Sequence, residues 1–242
     1  MPAPRPLPTA VLFDWDGTLV DTIPMIYRAN VVALRAFGIE LTREWYRERY
    51  TPDWRRSYRE LGIPEHHWEA VAARWGEEMT AGRPRALPWA RPALARLRRR
   101  GIRIGLVTAS TRAVVEPNLR RLNLDRSFEA IRYSDDVARS KPHPDALLEA
   151  LAEMDVDAAA AVYVGDTTVD HAMATAAAVP FVAIGGTTVA ARFQEVGVDH
   201  VWPSVGTWAA DLLGEPAPAR REPADASPKP VRPARGDRPP GA

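Results

Sequence analysis

Apolar residues recur with two spacings along the chain, and the spacing changes from one region to the next. In residues 88–213, short apolar runs such as IRIGLV at 102–107 alternate with segments whose apolar residues lie three or four positions apart. Such runs fit buried strands, and the wider spacing fits amphipathic helices. The alternation of strand and helix predicts a parallel sheet with helices on both faces.

The predicted core of the protein combines residues 1–20 with residues 88–213. Its first strand begins near Thr9 and ends in the acidic turn of VLFDWDGTLVD. The later predicted strands are IRIGLV, EAIRY, AAVYV and PFVAI, and the predicted helices are TRAVVEPNLRRL, PDALLEALAEM and TVDHAMATAA. The first of these helices is predicted although Pro117 lies within it. Together these elements predict an α/β, Rossmann-like core.

Residues 21–87 have a helical pattern and contain no predicted strand. The first helix is predicted from apolar residues at three- and four-residue spacing, which are Ile23, Ile26, Tyr27, Val31, Leu34 and Phe37. Asp21 and Thr22 stand at its capping end, and Gly38 lies just past its other end. Thr42, Pro52 and Pro64 are predicted to open three further helices. This region is therefore expected to form an inserted four-helix cap domain.

Residues 214–242 differ in composition from the rest of the chain. They contain eight prolines, one valine and no aromatic residue, so they cannot bury enough apolar surface to fold alone. We expect a disordered, proline-rich tail that carries the basic excess of the chain. A protein partner for this tail is left open, because no motif in it supports one.

Composition and charge exclude several classes of protein. The 242 residues are 46% apolar and carry a formal net charge of +1, which argues against an extended surface for nucleic acid or membranes. Without cysteine, disulfides and thiolate metal sites are excluded. MPAPRPLP at the N-terminus lacks the apolar run of a secretory signal, and no apolar stretch approaches membrane-spanning length. The sequence therefore predicts a cytoplasmic protein that binds neither nucleic acid nor membranes.

Candidate chemistry is concentrated where predicted strands end. In open α/β sheets, ligands bind outside the carboxyl ends of the strands. Polar groups are expected at this edge in four places: Asp14 and Asp16, then Thr108, Ala109 and Ser110, then Lys141, and finally Asp166 and Asp170.

Several carboxylates that converge on one point cannot all stay ionised without a cation. Oxygen-only sites that contain a few carboxylates favour Mg²⁺, which also accepts a substrate phosphate as a ligand. Lys141 and Thr108 would add a positive charge and a hydroxyl group, and the amides of DGT and TAS could bind an anion. The residues alone therefore predict a magnesium-dependent site for a phosphoryl group.

Four motifs carry a resemblance to a known family. DWDGTLVD, LVTAS, KPHP and GDTTVD resemble, in order, the four motifs of the haloacid dehalogenase superfamily. The resemblance covers residues from about Thr9 to Asp170, and the helical insert is similar to the small cap of the phosphoglycolate phosphatase and β-phosphoglucomutase-like branch. Trp15 departs from the Phe or Leu that is usual there, and we expect its side chain to point into the core.

The resemblance implies a role for each site residue. Asp14 would attack phosphorus and form an aspartyl-phosphate, and Asp16 would act as the acid and then the base. Mg²⁺ would be held by Asp14, the backbone carbonyl of Asp16, Asp166 and Asp170, the last directly or through water. The phosphoryl group would be bound by Thr108 and Lys141, with Gly17, Thr18, Ala109 and Ser110 completing its site. Ser110 is the alternative to Thr108 as the hydroxyl contact.

The preferred function is a magnesium-dependent phosphatase that acts on a small, phosphoglycolate-like metabolite. The alternatives are a phosphosugar mutase like β-phosphoglucomutase and a non-catalytic binding protein of the same fold; a haloacid dehalogenase is disfavoured by DWDGT. Selection of an anionic substrate is assigned to cap arginines, namely Arg47, Arg49, Arg55, Arg56 and Arg59. The tryptophans Trp45, Trp54, Trp68 and Trp75 are expected to pack the cap rather than contact substrate.

Overall fold

The computed structural model describes residues 6–49, 54–188 and 190–218. Its strands are β1 (Ala10–Phe13), β2 (Val20–Asp21), β3 (Arg85–Ala86), β4 (Arg103–Val107), β5 (Ala130–Arg132), β6 (Ala161–Gly165), β7 (Phe181–Ile184) and β8 (Val201–Trp202). Six of them form one parallel sheet in the order β5–β4–β1–β6–β7–β8, and β2 pairs with β3 in a separate antiparallel ribbon. The predicted parallel sheet is thus confirmed.

The helices are α1 (Ile23–Arg35), α2 (Arg43–Arg49), α3 (Trp54–Glu60), α4 (Trp68–Ala81), α5 (Ala90–Arg99), α6 (Arg112–Arg121), α7 (Asp145–Glu153), α8 (Thr168–Ala176), α9 (Ala190–Glu195) and α10 (Val205–Leu212). Short 3-10 turns occupy Glu65–His67 and Ala158–Ala160. Within the described residues, no helix combines the length and the apolar character that crossing a bilayer requires.

Strand β1 lies at the centre of the sheet, and both of its faces are covered. Val11 and Phe13 point into a core formed with α5, α6 and α10. Ala10 and Leu12 point to the opposite face, where α7 and α8 pack. Because side chains of a strand alternate between faces, a strand buried on both sides is apolar at every position. Trp15 joins the first of these cores, as the sequence predicts, and only 1% of it is exposed.

The register of the central strands aligns their carboxyl ends. Phe13 at the end of β1 lies opposite Leu106 of β4 on one side and Val164 of β6 on the other. The residues that follow these three strands therefore emerge at the same edge of the sheet. This alignment determines which side chains can meet at the candidate site.

Helices α1 to α4 lie between β2 and β3 and share an apolar cluster of their own. We call residues 21–87 the cap segment. Because β2 and β3 pair, the two chain connections to the core run side by side, close to the linkers expected near Val20 and Leu87. Val114 of α6 belongs to the same cluster, so the cap segment also packs on the core.

The ends of the cap helices only partly follow the predicted signals. Gly38 ends α1 with a φ of +74°, and the Thr42 hydroxyl accepts from the N–H of Trp45 at 3.1 Å to cap α2. Thr22 occupies the N-cap of α1, but its hydroxyl makes no capping hydrogen bond. The helix predicted to open at Pro64 begins as a 3-10 turn and becomes α-helical only at Trp68. Pro52 lies outside the described residues.

The folded body extends past the predicted start of the tail. The Glu215 N–H donates to the Ala210 carbonyl at 2.9 Å. Its carboxylate pairs with Arg96 at 2.5 Å and with Arg100 at 3.5 Å. Glu215, which lies within the predicted tail of residues 214–242, is therefore held on the folded body by α5. Residues 219–242 lie outside the described part of the chain.

Candidate active site

Adjacent strand ends bring most of the predicted site residues together. Asp14 follows β1, Thr108 follows β4, and Asp166 follows β6. Lys141 lies in the connection between β5 and α7 and reaches the same edge of the sheet. The structure therefore places three motifs and a lysine, separated by long stretches of chain, around one point.

The ammonium group of Lys141 is buried at the centre of this cluster. Its Nζ donates to Asp14 Oδ1 at 2.6 Å, to Asp170 Oδ1 at 2.7 Å and to the Tyr163 hydroxyl at 2.6 Å. Burial alone would lower the pKa of Lys141, but the carboxylates of Asp14 and Asp170 outweigh that effect and raise the pKa above its usual value. Lys141 is thus positively charged at any physiological pH.

Tyr163 is a site residue that the sequence does not reveal. It is fully buried in β6, and its hydroxyl donates to the Val107 carbonyl at 2.9 Å while accepting from Lys141. In the sequence it reads as one more large residue of a buried strand. Only the closeness of its hydroxyl to Lys141 distinguishes it from an ordinary core tyrosine.

Asp166 has no cationic partner in the part of the chain that the structure describes. Its side chain has no exposed surface; Oδ2 accepts from the N–H of Thr187 at 2.9 Å, and Oδ1 accepts from the Thr18 hydroxyl at 3.4 Å. Burial, followed by the repulsion of Asp170, raises the pKa of Asp166 to about 7. Without another positive charge this carboxylate is only partly ionised near neutral pH.

Burial also raises the pKa of Asp14 well above its usual range, although the ammonium of Lys141 opposes that shift. One oxygen each of Asp14, Asp166 and Asp170 lies within 4.8 Å of the others. Full ionisation of the three carboxylates would leave two negative charges that the ammonium of Lys141, which pairs with Asp14 and Asp170, does not compensate. The charge and the all-oxygen donor set therefore fit a divalent cation.

Asp16 points away from this cluster and toward the hydroxyls that follow β4. Its Oδ2 accepts from the Ser110 hydroxyl at 2.7 Å and from the Thr108 hydroxyl at 3.5 Å. Its Oδ1 is buried without a hydrogen-bond partner in the described part of the chain. Burial raises the pKa of Asp16, and the hydroxyls of Ser110 and Thr108 and the charge of Lys141 oppose that shift. When protonated, Asp16 would have a proton available at the edge of the cavity.

The DGT turn has a mainly supporting role in this structure. Gly17 has a φ of +77°, and a Cβ atom at that position would overlap Asp166 Oδ2. The Gly17 N–H donates to the Val20 carbonyl at 2.9 Å, and the Thr18 hydroxyl contacts Asp166. Both residues hold the loop against Asp166, and their contact with a phosphoryl group stays a prediction.

The groups that follow β4 are arranged in two layers. The Ser110 N–H donates to the Thr108 hydroxyl at 3.0 Å, and Thr108 is 1% exposed. Ala109 and Ser110 line the cavity described below, whereas Thr108 lies behind it. This arrangement favours the alternative in which Ser110 provides the hydroxyl contact to a phosphoryl group.

Asp170 has a second structural task at the start of α8. Its Oδ2 accepts from the Thr167 N–H at 3.1 Å and from the Thr167 hydroxyl at 2.5 Å, and its own N–H donates back to that hydroxyl at 3.2 Å. This capping box fixes the carboxylate so that Oδ1 faces Lys141. Asp170 can therefore cap α8 through one oxygen and contact Lys141 through the other, so the two predicted roles are compatible.

A cavity of about 370 Å³ opens between the site and the cap segment. Among the described residues, its only charged lining side chains are Asp14, Asp16, Lys141 and Asp170, all at the core side. The cap side contributes mainly apolar and aromatic residues, among them Trp45, Trp54 and Trp75, together with the uncharged polar residues Asn30, Ser57 and Thr80. Trp45 and Trp75 pack against the apolar cluster of the cap, as predicted, and they also line the cavity. Trp68 does not line it.

The predicted arginines are not part of the cavity wall. Arg49, Arg55, Arg56 and Arg59 are exposed and absent from its described lining; the side chain of Arg47 is not among the described residues. Arg49 and Arg56 contact Glu60 at 4.0 and 2.9 Å. The structure therefore does not support the prediction that these described arginines select an anionic substrate.

Comparison with known proteins agrees with the site. The family model of haloacid dehalogenase-like hydrolases matches residues 11–184. A phosphoglycolate phosphatase (plasmid) of Cupriavidus necator is 35% identical over 181 residues, which are 71% of this chain and 78% of that protein. Hexitol phosphatase B of Escherichia coli is 29% identical over 184 residues, covering 69% of this chain and 78% of that protein.

The fold has solved counterparts as well. The crystal structure of a haloacid dehalogenase-like hydrolase from Bacteroides fragilis superposes with a TM-score of 0.76 at 29% identity, covering 83% of this chain and 99% of that one. The matched residues include β1 from Val11 onward and all of β4 and β6, the three strands whose carboxyl ends are followed by site residues. The chain therefore belongs to the haloacid dehalogenase-like hydrolase family, and its relatives identify it as an enzyme of the phosphatase kind.

Proposed function

We propose that the protein is a Mg²⁺-dependent phosphatase that hydrolyses a small phosphate monoester through an aspartyl-phosphate on Asp14. The observation that carries the proposal is the buried cluster of Asp14, Asp166 and Asp170, in which the ammonium of Lys141 pairs with Asp14 and Asp170 and leaves Asp166 without a cation among the described residues. A structural ion pair needs no excess of carboxylates over cations. A site that binds a metal ion and an anionic group needs such an excess.

Asp14 is the nucleophile in this proposal. Lys141 holds Oδ1, so the carboxylate has a fixed orientation at the floor of the cavity. Its other oxygen attacks phosphorus; a bond forms between that oxygen and phosphorus while the ester P–O bond breaks. Lys141 also neutralises charge that develops on the phosphoryl oxygens in the transition state.

Asp16 is assigned the proton transfers. Burial raises its pKa, which eases protonation, and its buried Oδ1 lacks a partner within the described chain. The departing ester oxygen takes the proton of Asp16 and leaves as an alcohol. The Asp16 carboxylate then accepts a proton from the water that attacks phosphorus in the aspartyl-phosphate. That second step releases inorganic phosphate and restores both aspartates.

Mg²⁺ would be held by the carboxylates of Asp14, Asp166 and Asp170 together with the backbone carbonyl of Asp16. When bound, it supplies a positive charge that lowers the repulsion between the phosphoryl group and the carboxylates. Thr187 and Thr18 keep Asp166 oriented through their hydrogen bonds. This chain's residues thus provide the charge and the rigid positions that the metal needs.

The remaining alternatives have less support. A non-catalytic binding protein would have no need to retain Asp14, Asp16, Asp166, Asp170 and Lys141 in one buried cluster. A phosphosugar mutase would use the same site, and no contact in the described residues favours it. The division into core and cap domains and the cytoplasmic location stay predictions.

Hydrolysis of a panel of phosphate monoesters, with and without Mg²⁺, tests the proposal. We expect release of phosphate that stops in excess chelator and returns with Mg²⁺. Asp14→Asn keeps the shape of the side chain and should lower kcat by at least about 1000-fold. Asp211→Asn, on the exposed face of α10, is the matched control and should leave kcat unchanged. Full activity in chelator, or activity of Asp14→Asn near wild type, would contradict the proposal.

A further inference from the structure

The cavity above the proposed phosphoryl site has an aromatic wall. Five aromatic side chains from α2, α3 and α4 line it: Trp45, Tyr46, Trp54, Tyr58 and Trp75. Four of them lie on two short helices, so they are concentrated in a small part of the cap segment. A wall of this kind is typical of ligand pockets that bind rings or apolar groups.

The aromatic wall is held in place from behind. The Trp68 Nε1 donates to the Ile63 carbonyl at 2.9 Å, which anchors its ring outside the cavity. Trp54 stands edge-on to Trp68, with ring centroids 6.0 Å apart, and edge-on to Tyr58 at 5.1 Å. Trp54 nevertheless remains 37% exposed. A large aromatic ring that is supported on one side and open on the other is available for contact with a ligand.

The described residues of the wall carry no charge that could pair with a second anionic group. Among the described residues that line the cavity, the only cation is Lys141, and its Nζ already donates to Asp14, Asp170 and Tyr163. The guanidinium of Arg55 lies 4.3 Å from the centre of the Trp54 ring and is exposed. It therefore extends over the outside of the wall rather than into the cavity.

Resting on the function proposed above, we propose that the organic part of the substrate is uncharged and presents an aromatic or other apolar face to this wall. A carboxylate or second phosphate enclosed there would lose its hydration without gaining a cationic partner. An apolar ring would instead remove both its own surface and that of the tryptophans from water.

The size of the cavity agrees with this substrate class. Its volume of about 370 Å³ lies at the lower end of the roughly 300–1,000 Å³ that is typical of pockets for drug-sized ligands. A phosphoryl group at the aspartates therefore leaves room for a ring-sized leaving group. A two-carbon anionic leaving group would leave much of the aromatic wall without contact.

A matched set of esters tests the inference with the full chain in the presence of Mg²⁺. Benzyl phosphate carries the ring, para-carboxybenzyl phosphate adds one carboxylate to the same ring, and 2-phosphoglycolate carries the carboxylate without a ring. We expect kcat/KM for benzyl phosphate to exceed both of the others by about tenfold or more. An equal or higher value for either anionic ester would overturn the inference while leaving the phosphatase function intact. If the protein hydrolyses none of these three esters and no other phosphate monoester, the proposed function is refuted.

A variant of the wall separates contact with the substrate from a general effect on activity. Trp75→Leu should raise KM for benzyl phosphate by about tenfold and leave inhibition by inorganic phosphate unchanged, because phosphate contacts only the core side. Trp202→Leu, in β8 and outside the cavity, is the matched control with unchanged KM. If Trp75→Leu does not fold, Trp45→Leu serves the same purpose. Unchanged KM in a folded wall variant would overturn the inference.

Discussion

Replacing Asp166 by asparagine should make the metal-free protein more stable, although it removes a residue from the centre of the site. The wild-type carboxylate is fully buried, and neither of its two hydrogen-bond donors, the Thr187 N–H and the Thr18 hydroxyl, is charged. An asparagine has nearly the same shape, can accept from Thr187 through its oxygen and can donate to Thr18 through its amide. The substitution therefore removes a buried charge and keeps the packing.

The magnitude follows from the pKa of Asp166, which burial raises from 3.8 to about 7. The pKa of Asp166 is higher in the folded than in the unfolded state, so the protonated carboxyl stabilises the folded protein. This stabilisation is complete below about pH 4 and is lost as the pH rises through 7. At pH 8 the ionised carboxylate costs the folded, metal-free protein about 4 kcal/mol relative to asparagine. Weaker hydrogen bonds in the variant offset about 1 kcal/mol of this gain. The remaining ~3 kcal/mol corresponds to a Tm higher by about 6–12 °C.

Thermal unfolding in excess chelator at pH 8 measures this difference, and it should shrink as the pH is lowered toward 4. Saturating Mg²⁺, at about 100 times its Kd, should stabilise wild type by about 2.7 kcal/mol and the variant by much less. Asp211→Asn is the surface control and should match wild type in every condition. A lower Tm for Asp166→Asn in chelator at pH 8, or an equal response of both proteins to Mg²⁺, would refute the reasoning.

Three further predictions concern the metal, the lysine and the chain end. Ca²⁺ should inhibit in competition with Mg²⁺, because it accepts more oxygen ligands and can engage both oxygens of the nucleophile; stimulation by Ca²⁺ would contradict this. Tyr163→Phe removes an acceptor of the Lys141 ammonium and should lower kcat about tenfold with little change in KM; an unchanged kcat would contradict it. Deleting residues 219–242 should leave Tm and kcat unchanged, whereas Glu215→Ala, which breaks the pair with Arg96, should lower Tm by about 2–4 °C. A larger loss of Tm for the deletion than for Glu215→Ala would contradict the conclusion that the folded body includes Glu215.

The sheet was predictable because its strands are buried on both faces. A strand such as β1 must be apolar at every position, and the polar residues directly after Phe13 stand out against it. Ligand binding at the carboxyl ends of parallel strands then indicates where Asp14 and Asp166 meet. Two-residue strands such as β2 leave no such pattern, and their pairing could not be read from the sequence.

The positions of the aromatic side chains could not be predicted in the same way. Trp68 and Trp75 lie seven residues apart on α4, a spacing that places both on one side of a helix. Trp68 is nevertheless anchored to Ile63 behind the wall, while Trp75 lines the cavity. The difference arises from how α4 packs against α1 and α3, which spacing along one helix does not determine.

The contacts of Tyr163 and Glu215 show a second limit of sequence analysis. Tyr163 resembles its apolar neighbours in β6, and its role depends on a lysine 22 residues away in the chain. Glu215 lies in a proline-rich segment, and its partner Arg96 is 119 residues away. Local composition describes only the neighbourhood of each residue in the chain. It does not contain the long-range contact that gives each residue its role.

The central claim is that Asp14 carries the phosphoryl group during turnover. Asp16→Asn should slow the second step, because it removes the base that activates water, and the aspartyl-phosphate should then accumulate. The most direct measurement is mass spectrometry of peptides from this variant after acid quenching of a reaction with a phosphate monoester and Mg²⁺. We predict that the peptide containing Asp14 gains the mass of one phosphoryl group, and that Asp14→Asn abolishes this gain. Turnover by wild type without any phosphorylated Asp14 peptide in the Asp16→Asn variant would contradict the covalent mechanism.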